Sequence, residues 1–275
     1  MPRTAASLFV LAAAAAAPAA AAQLDPMPLV AHRAVYDLKL SASSSAKAPS
    51  DARGRIAFDF TGSACDGYVM NFRQVTELTP AEGTTRVSDM RTATFEDGDG
   101  KSYRFKAQST TDGSKEEDSD GRATVAGDGG VSLDIAKPLK RKADIGQGIM
   151  FPTDHIRHIV AAAKEGRTTM AQKLFDGSEN GEKVFDTLTV IGKQVERKAD
   201  EPAAQLPQLE GMARWPVAIS YFTQGKAGDA PDYVLSFDLY ENGISRALKL
   251  DYGDFVLAGR METLELLPAA APCGK

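Results

Sequence analysis

Apolar and polar residues alternate with a period of two along most of this chain. Between residues 33 and 40 most apolar side chains fall on one face of an extended strand, and the polar side chains fall on the other. In residues 55–60, Ile56, Phe58 and Phe60 alternate with Arg55 and Asp59. This pattern is typical of half-buried β-strands, so it restricts the chain to folds built mainly from sheets.

About a dozen segments share this pattern and are separated by turns rich in Gly, Asp, Asn and Pro. Helices are almost absent between them, which favours an antiparallel barrel or sandwich over a parallel sheet. Besides the two segments above, the predicted strands are Gly67–Leu78, Val87–Phe95, Lys101–Ser109, Val131–Ala136, Thr168–Phe175, Glu182–Val190, Val217–Phe222, Tyr233–Tyr240, Ile244–Tyr252 and Phe255–Leu266.

One segment reads as a helix instead. It begins near Phe151, where Thr153 or Asp154 is expected to cap its first turn, and it ends at Gly166. The polar stretch Thr110–Gly121 is predicted to be a mobile hairpin tip, and Arg197–Gly211 an irregular connection between strands. Strand patterns of the same kind lie on both sides of these stretches, so residues 23–275 are predicted to form a single domain.

The amino terminus has the layout of an export signal. Arg3 precedes an apolar run, and the alanines up to Ala22 offer a small-residue cleavage site. We therefore expect residues 1–22 to be removed and the protein to reside in the periplasm. No later segment approaches the ~20 apolar residues of a membrane helix, so no integral membrane segment is expected in the mature chain.

The two cysteines, Cys65 and Cys273, lie near opposite ends of the mature sequence. An oxidising compartment favours a disulfide between them. On a chain-entropy argument, closing so long a loop is worth at most roughly 5 kcal/mol. The bridge is expected to be structural, because redox-active pairs tend to be close in sequence.

Charge and motifs exclude several function classes. Without Arg3 the chain has 31 basic and 37 acidic residues, and no dense basic cluster, so nucleic acid is not an expected partner. Motifs for nucleophilic hydrolysis, zinc peptidases and phosphate-binding loops are missing. The sequence therefore assigns no catalytic residues and no cofactor. Paired carboxylates stay open, since any two of the acidic residues could converge in space.

Two weaker metal hypotheses arise from the residues. His155 and His158 lie on one side of the predicted helix, where His32 could join them as a zinc ligand, but we favour a surface or packing role for them. The loop Asp176–Gly181 resembles the start of a calcium-binding loop. Position twelve of that loop is Thr187 rather than Glu, so we favour a simple turn between strands.

Several short runs, in this order, resemble the EipB family of periplasmic envelope-integrity proteins. The resemblance spans nearly the whole mature chain and includes both cysteine positions. The runs are HRAVYDL at 32–38, GSACDGY at 62–68, FEDGDGKSYRF at 95–105, FPTDH at 151–155, LFDGSENGEKVFDT at 174–187, WPVAISYF at 215–222, LYENGIS at 239–245 and LDYGDF at 250–255.

The resemblance implies a fold and a role. The fold would be a β-spiral, an open antiparallel barrel of about fourteen strands with one or two short helices, closed by a disulfide between Cys65 and Cys273. The role would be maintenance of the cell envelope under stress, with no established reaction. We therefore expect a non-enzymatic protein that binds an envelope protein, peptide or lipid on its concave surface; the alternative is an unrecognised periplasmic enzyme acting on envelope material.

Overall fold

The protein folds into one fifteen-stranded sheet with a single α-helix in the part of the chain that the structure describes. This computed structural model describes residues 29–45, 48–196, 198–224 and 230–269. The strands are β1 His32–Ser43, β2 Pro49–Ser63, β3 Gly67–Pro80, β4 Arg86–Glu96, β5 Ser102–Thr111, β6 Ser114–Val125, β7 Gly130–Lys137, β8 Arg141–Gln147, β9 Ile149–Met150, β10 Thr169–Leu174, β11 Phe185–Ile191, β12 Arg214–Thr223, β13 Tyr233–Tyr240, β14 Ser245–Asp251 and β15 Phe255–Leu266.

Strand order follows chain order in two directions from β1. Strands β2 to β8 are added one by one on one side, and β15 down to β9 on the other. All neighbours are antiparallel except β9 and β10, which pair in parallel. The two edge strands, β8 and β9, are separated in sequence only by Gly148. The sheet is therefore a nearly closed barrel, which confirms the predicted all-β class.

The two faces of the sheet differ as the alternation predicts. In β1, Ala34, Tyr36 and Leu38 are buried, whereas Arg33 and Lys39 are exposed. Burial of these apolar side chains supplies the main driving force for closing the sheet. The buried face encloses an interior, which the helix and a long connection fill from two sides.

The helix, α1 (Pro152–Lys164), packs against the inner face of β10–β13. Its buried residues Ile159, Val160 and Ala162 contact Trp215 and Phe237, among other side chains of those strands. Trp215, at the start of β12, is therefore a packing residue. Gly166, with a φ of +74°, follows the end of the helix as predicted.

The second interior element is the connection from residue 192 to residue 213, which we call the strap. It contains two short 3-10 helices, Pro202–Ala204 and Pro207–Leu209. Ala199, Ala204 and Leu209 pack against the inner side chains of β1, β2, β14 and β15. The irregular connection predicted at 197–211 is thus present in the described residues, and it contributes to the core.

One local prediction was wrong. The polar stretch at 110–121 is not a hairpin tip, because all but Asp112 and Gly113 of it belongs to β5 and β6. Ion pairs from Lys115 and Lys137 to Asp118 and burial of Ser119 hold β6 in the sheet. The polar composition reflects a strand whose polar groups find partners, so composition alone misassigned it.

Within the described residues, no helix is long and apolar enough to cross a membrane. The expected export signal, residues 1–22, and the expected disulfide partner Cys273 both lie outside the described residues.

Candidate functional site

One row of paired residues runs across four neighbouring strands and faces the interior. His32 of β1 pairs with Phe60 of β2, Phe60 with Met70 of β3, and Met70 with Thr94 of β4. Partners in antiparallel strands have side chains close together on the same face. The four side chains therefore form a continuous floor, although the first and last of them are more than sixty residues apart in sequence.

Aromatic rings enlarge this floor. The His32 ring lies 5.4 Å from the Phe58 ring and 6.0 Å from the Phe60 ring, between centroids. Phe60 in turn stacks on Tyr68 at 5.4 Å. Such offset contacts between rings add to the stability that burial provides. The floor is consequently a rigid, mostly apolar surface.

The first turn of α1 covers the floor from above. Pro152, Thr153 and Ile156 form this cover, and Leu29 with the β13–β14 turn closes one side. Gly243 in that turn has a φ of +89°, and a Cβ there would lie 2.7 Å from Cδ2 of Leu29. Glycine is therefore needed for the turn to approach Leu29 so closely.

Floor and cover enclose a cavity of about 140 Å³, which we call the β1–β4 pocket. Among the described residues, its lining contains no carboxylate, lysine, arginine or cysteine. The polar groups at its wall are the His32 imidazole, the hydroxyls of Thr94 and Thr153, and the amide of Asn242. Such a mixture suits the binding of an uncharged ligand better than the hydrolysis of one.

The protonation of His32 follows from its partner. Nδ1 lies 2.8 Å from the carbonyl oxygen of Val30, which only accepts hydrogen bonds, so Nδ1 carries the proton. Burial lowers the pKa of His32, against smaller opposing effects of the Val30 bond and of Asp59. The ring is therefore neutral near pH 7, and Nε2 is a hydrogen-bond acceptor.

Beside the pocket, Glu96 holds the start of α1. Its two carboxylate oxygens accept hydrogen bonds from the backbone N–H groups of Thr153 and Asp154, both at 2.8 Å. Burial raises the pKa of Glu96 to about 7, although the two N–H donors pull it down. The predicted caps, Thr153 and Asp154, make no side-chain cap. A carboxylate from a distant strand performs that function instead.

The three histidines occupy different surroundings. His32 lies in the pocket wall, His155 is buried in α1, and His158 is half-exposed and bonds through Nδ1 to the carbonyl of Asp154 at 2.9 Å. Across the described residues, no group of three or more His, Cys, Asp or Glu side chains is arranged to hold a metal ion. These positions therefore lend no support to the zinc hypothesis.

The loop Asp176–Gly181 connects β10 to β11, as the turn interpretation predicts. Oδ1 of Asp176 accepts a hydrogen bond from the N–H of Ser178, and its carbonyl accepts one from the Tyr103 hydroxyl. A Cβ at Gly177 or Gly181 would lie within 2.6 Å of the Phe105 ring. Its glycines are thus explained by packing rather than by ion binding.

Cys65 lies in the turn between β2 and β3, where its N–H donates to Oγ of Ser63 at 3.2 Å. Because Cys273 is outside the described residues, the bridge between them stays a prediction. Sequence reasoning thus selected the cysteines and missed the pocket. The sequence carried only a weak signal for the pocket. His32 and Glu96 fall on the apolar, inward-facing side of their strands, and this alternation alone indicated buried polar groups there.

A second buried polar cluster ties the strap to the sheet. Arg246 of β14 bonds to Glu201 through Nε at 2.5 Å, to Asp238 through Nη1 at 2.7 Å, and to Asp200 through Nη2. Oε1 of Glu201 also accepts the backbone N–H of Met261 at 2.9 Å. The pairing of β14 with β15 extends only from Asp251 to Leu248. The Glu201 carboxylate therefore accepts the N–H of Met261 in place of a strand partner.

The fold and the pocket define a class of protein: a nearly closed β-barrel that holds a helix and a strap in its interior, with a small, mostly apolar pocket between β1–β4 and α1. The sequence profile of the EipB-like family matches residues 23–268. The chain therefore belongs to the EipB-like family.

Two relatives extend this assignment. The cell envelope integrity protein EipB of Brucella abortus (strain 2308) is 37% identical over 248 residues, which cover 90% of this chain and 88% of that protein. The crystal structure of a beta-barrel-like protein of a domain of unknown function from Brucella abortus superposes with a TM-score of 0.81. It is also 37% identical, and the match covers 88% of this chain and 100% of the crystallised one.

Proposed function

We propose that this protein is a non-enzymatic periplasmic factor that supports cell-envelope integrity and stress resistance by binding an envelope ligand or partner on its inward-facing sheet. The name of its Brucella relative supports the envelope role. The export signal expected at residues 1–22 supports the compartment. The third part of the proposal, the binding of a ligand or partner, rests on the pocket.

The observation that carries the binding role is the β1–β4 pocket. It combines aromatic and aliphatic walls with a few neutral polar groups, as small-molecule sites do. A filled core would be more stable, because cavities cost free energy in proportion to their volume. The pocket of this chain lies next to the start of α1 and leaves space that a ligand can fill.

Glu96 provides the main argument for an enzyme, the alternative class. A carboxyl with a pKa of about 7 resembles a general acid or base. Both of its oxygens, however, accept N–H groups of α1, and its side chain is 2% exposed. A group so placed has a structural role, and among the described residues the pocket lining has no carboxylate, lysine or cysteine to act together with His32.

Native mass spectrometry of protein purified from a periplasm tests the proposal. We expect a reproducible adduct that denaturing extraction releases chemically unchanged, or a co-purifying envelope protein. The control is an Ile156→Phe variant, whose larger side chain fills the pocket cover and should remove a small-molecule adduct. A clean mass with no adduct and no partner, or a released compound that is altered on incubation, would contradict a binding role.

A cellular test addresses the envelope role separately. Loss of the protein should increase sensitivity to detergents and to antibiotics that act on the cell wall, and the wild-type gene should restore resistance. An unchanged minimal inhibitory concentration for both kinds of agent would argue against envelope maintenance, whatever the protein binds.

A further inference from the structure

The β1–β4 pocket has room for about one six-membered ring. Its volume is about 140 Å³, and its floor is built from Phe58, Phe60 and Met70. Apolar protein cavities of about 150 Å³ stay dry and bind benzene. This pocket is partly open and has polar groups at its wall, so water can enter it, but its size and apolar floor also suit a flat apolar group of one ring.

Nε2 of His32 is a hydrogen-bond acceptor at the pocket wall. Because Nδ1 of His32 donates to Val30, the lone pair of the neutral ring is on Nε2. Within the described residues, His32 makes its side-chain hydrogen bond through Nδ1 and none through Nε2, and Nε2 is not fully buried. A ligand that brings an O–H group would supply the missing donor in surroundings where hydrogen bonds are strong.

Charge restricts the ligand further. The lining has no lysine or arginine, so a carboxylate or phosphate would enter without a counterion. It would also face the Nε2 lone pair of His32. Burying an unpaired anion is costly. The site therefore discriminates against anions and in favour of neutral donors.

From these three features we infer that the β1–β4 pocket binds an uncharged, ring-sized apolar group carrying one hydroxyl, with that hydroxyl donating to Nε2 of His32. This inference rests on the proposed binding function and gives it a site and a ligand chemistry. His32 is then the residue that determines specificity, while the aromatic floor supplies affinity.

Three probes of equal ring size test the inference: phenol, toluene and benzoate, titrated into the full mature protein by calorimetry or ligand-observed NMR. We expect phenol to bind about tenfold more tightly than toluene, the effect of one buried hydrogen bond. Benzoate should bind at least as weakly as toluene. Equal affinities for phenol and toluene, or tightest binding of benzoate, would overturn the inference.

Variants locate the site. His32→Phe keeps an aromatic ring and removes the acceptor, so it should abolish the preference for phenol and leave toluene binding within about twofold. His158→Phe is the matched control, since His158 is on α1 away from the pocket lining, and it should change neither affinity. Ile156→Phe should block both probes. A phenol preference that survives in His32→Phe would exclude Nε2 as the acceptor.

A spectroscopic measurement needs no variant and covers the case in which His32→Phe fails to fold. In the wild-type protein, phenol should shift the ¹⁵N resonance of Nε2 of His32, and toluene should not. An unshifted Nε2 resonance at saturating phenol contradicts the inference.

Failure of this inference differs from failure of the proposed function. If the purified protein carries an adduct that Ile156→Phe retains, and no probe binds the pocket, a ligand occupies another part of the sheet. The pocket inference is then wrong and the binding function stands. If neither probes nor adducts nor partners bind, both are wrong.

Discussion

The helix α1 and the strap fill the same barrel interior by opposite means. α1 satisfies nearly all of its own backbone groups and contacts the sheet through apolar side chains such as Ile159 and Val160. It needs outside help only at its first turn, where Glu96 accepts two N–H groups. The strap, with only short 3-10 turns, relies on a buried cluster of charges around Arg246.

The difference between α1 and the strap shows two ways in which a segment inside a barrel is held in place. A regular helix lies against an apolar wall at little polar cost, because its hydrogen bonds are internal. An irregular segment must bring its own polar partners into the barrel, since unsatisfied backbone groups are costly there. We therefore expect the strap to be more sensitive to loss of one charge than α1 is to loss of its cap.

The largest effect is expected from Arg246→Met. It leaves the buried carboxylate of Glu201 without its cation, whereas Asp238 keeps its ion pair with Arg214, and this should cost about 3–5 kcal/mol in the free energy of unfolding. Urea denaturation measures this loss. Lys249→Met, at an exposed position of the same strand, is the control and should stay within about 0.5 kcal/mol of wild type. Equal stability of the two variants would show that the charge cluster does not hold the strap.

Cys65→Ser should destabilise α1 and the strap equally. If Cys65 and Cys273 form the predicted bridge, its loss should cost about 3 kcal/mol by freeing the unfolded chain. Hydrogen exchange should then increase for α1 and the strap by the same factor. The comparison is with wild-type protein before and after reduction; identical melting of the oxidised and reduced forms would exclude a stabilising bridge.

At the helix, Glu96→Ala should cost about 2–3 kcal/mol, because two N–H groups of α1 lose their acceptor in a buried place. The loss should appear as faster exchange in α1 while exchange in the strap is unchanged. Glu116→Ala, at an exposed position of β6, provides a comparison. If exchange accelerated equally in both interior elements, they would open together and the contrast between them would fail.

The smallest effect concerns pH at the start of α1. Burial lowers the pKa of His155 from 6.5 to about 4, so the stability it provides is lost as pH falls from about 6.5 to about 4. Glu96 acts in the opposite direction: its pKa is raised from 4.5 to about 7, so stability increases as pH falls through that interval. The two contributions largely cancel in the wild-type protein.

His155→Leu removes the contribution of His155 to the pH dependence and leaves that of Glu96. The variant should gain about 1–2 kcal/mol on going from pH 7 to pH 5, whereas the wild-type protein should change by less than about 1 kcal/mol. Denaturation midpoints at the two pH values provide the measurement. A variant whose stability is flat or falls over this interval would show that the Glu96 carboxyl takes up no proton there.

The sequence predicted the strands well and the interior poorly, for a physical reason. Strand faces are determined by alternation between neighbouring residues, as in Ile56, Phe58 and Phe60, and this signal is local. The cap of α1 depends on Glu96, 57 residues before Thr153. The strap depends on Arg246, 45 residues after Glu201. Such partners are brought together only by the register of the whole sheet.

The same limit applies to the candidate site. His32 was noticed as a histidine, but its row with Phe60, Met70 and Thr94 exists only once four strands are paired. The helix end at Gly166 was predicted because a glycine with positive φ acts within one turn. The wrong prediction at 110–121 came from reading polar composition without the cross-strand partners that stabilise it.

The pairing of β1 with β15 has a consequence for how the chain reaches this state. These strands are the first and last in sequence, yet they are direct neighbours, with His32 opposite Leu266. During synthesis, β1 can pair with β15 only after the rest of the chain has been made. This contact closes the longest loop in the sheet. If new ends were cut at Gly148 and the old ones joined, β15 and β1 would become consecutive strands. The barrel would then assemble from neighbours alone.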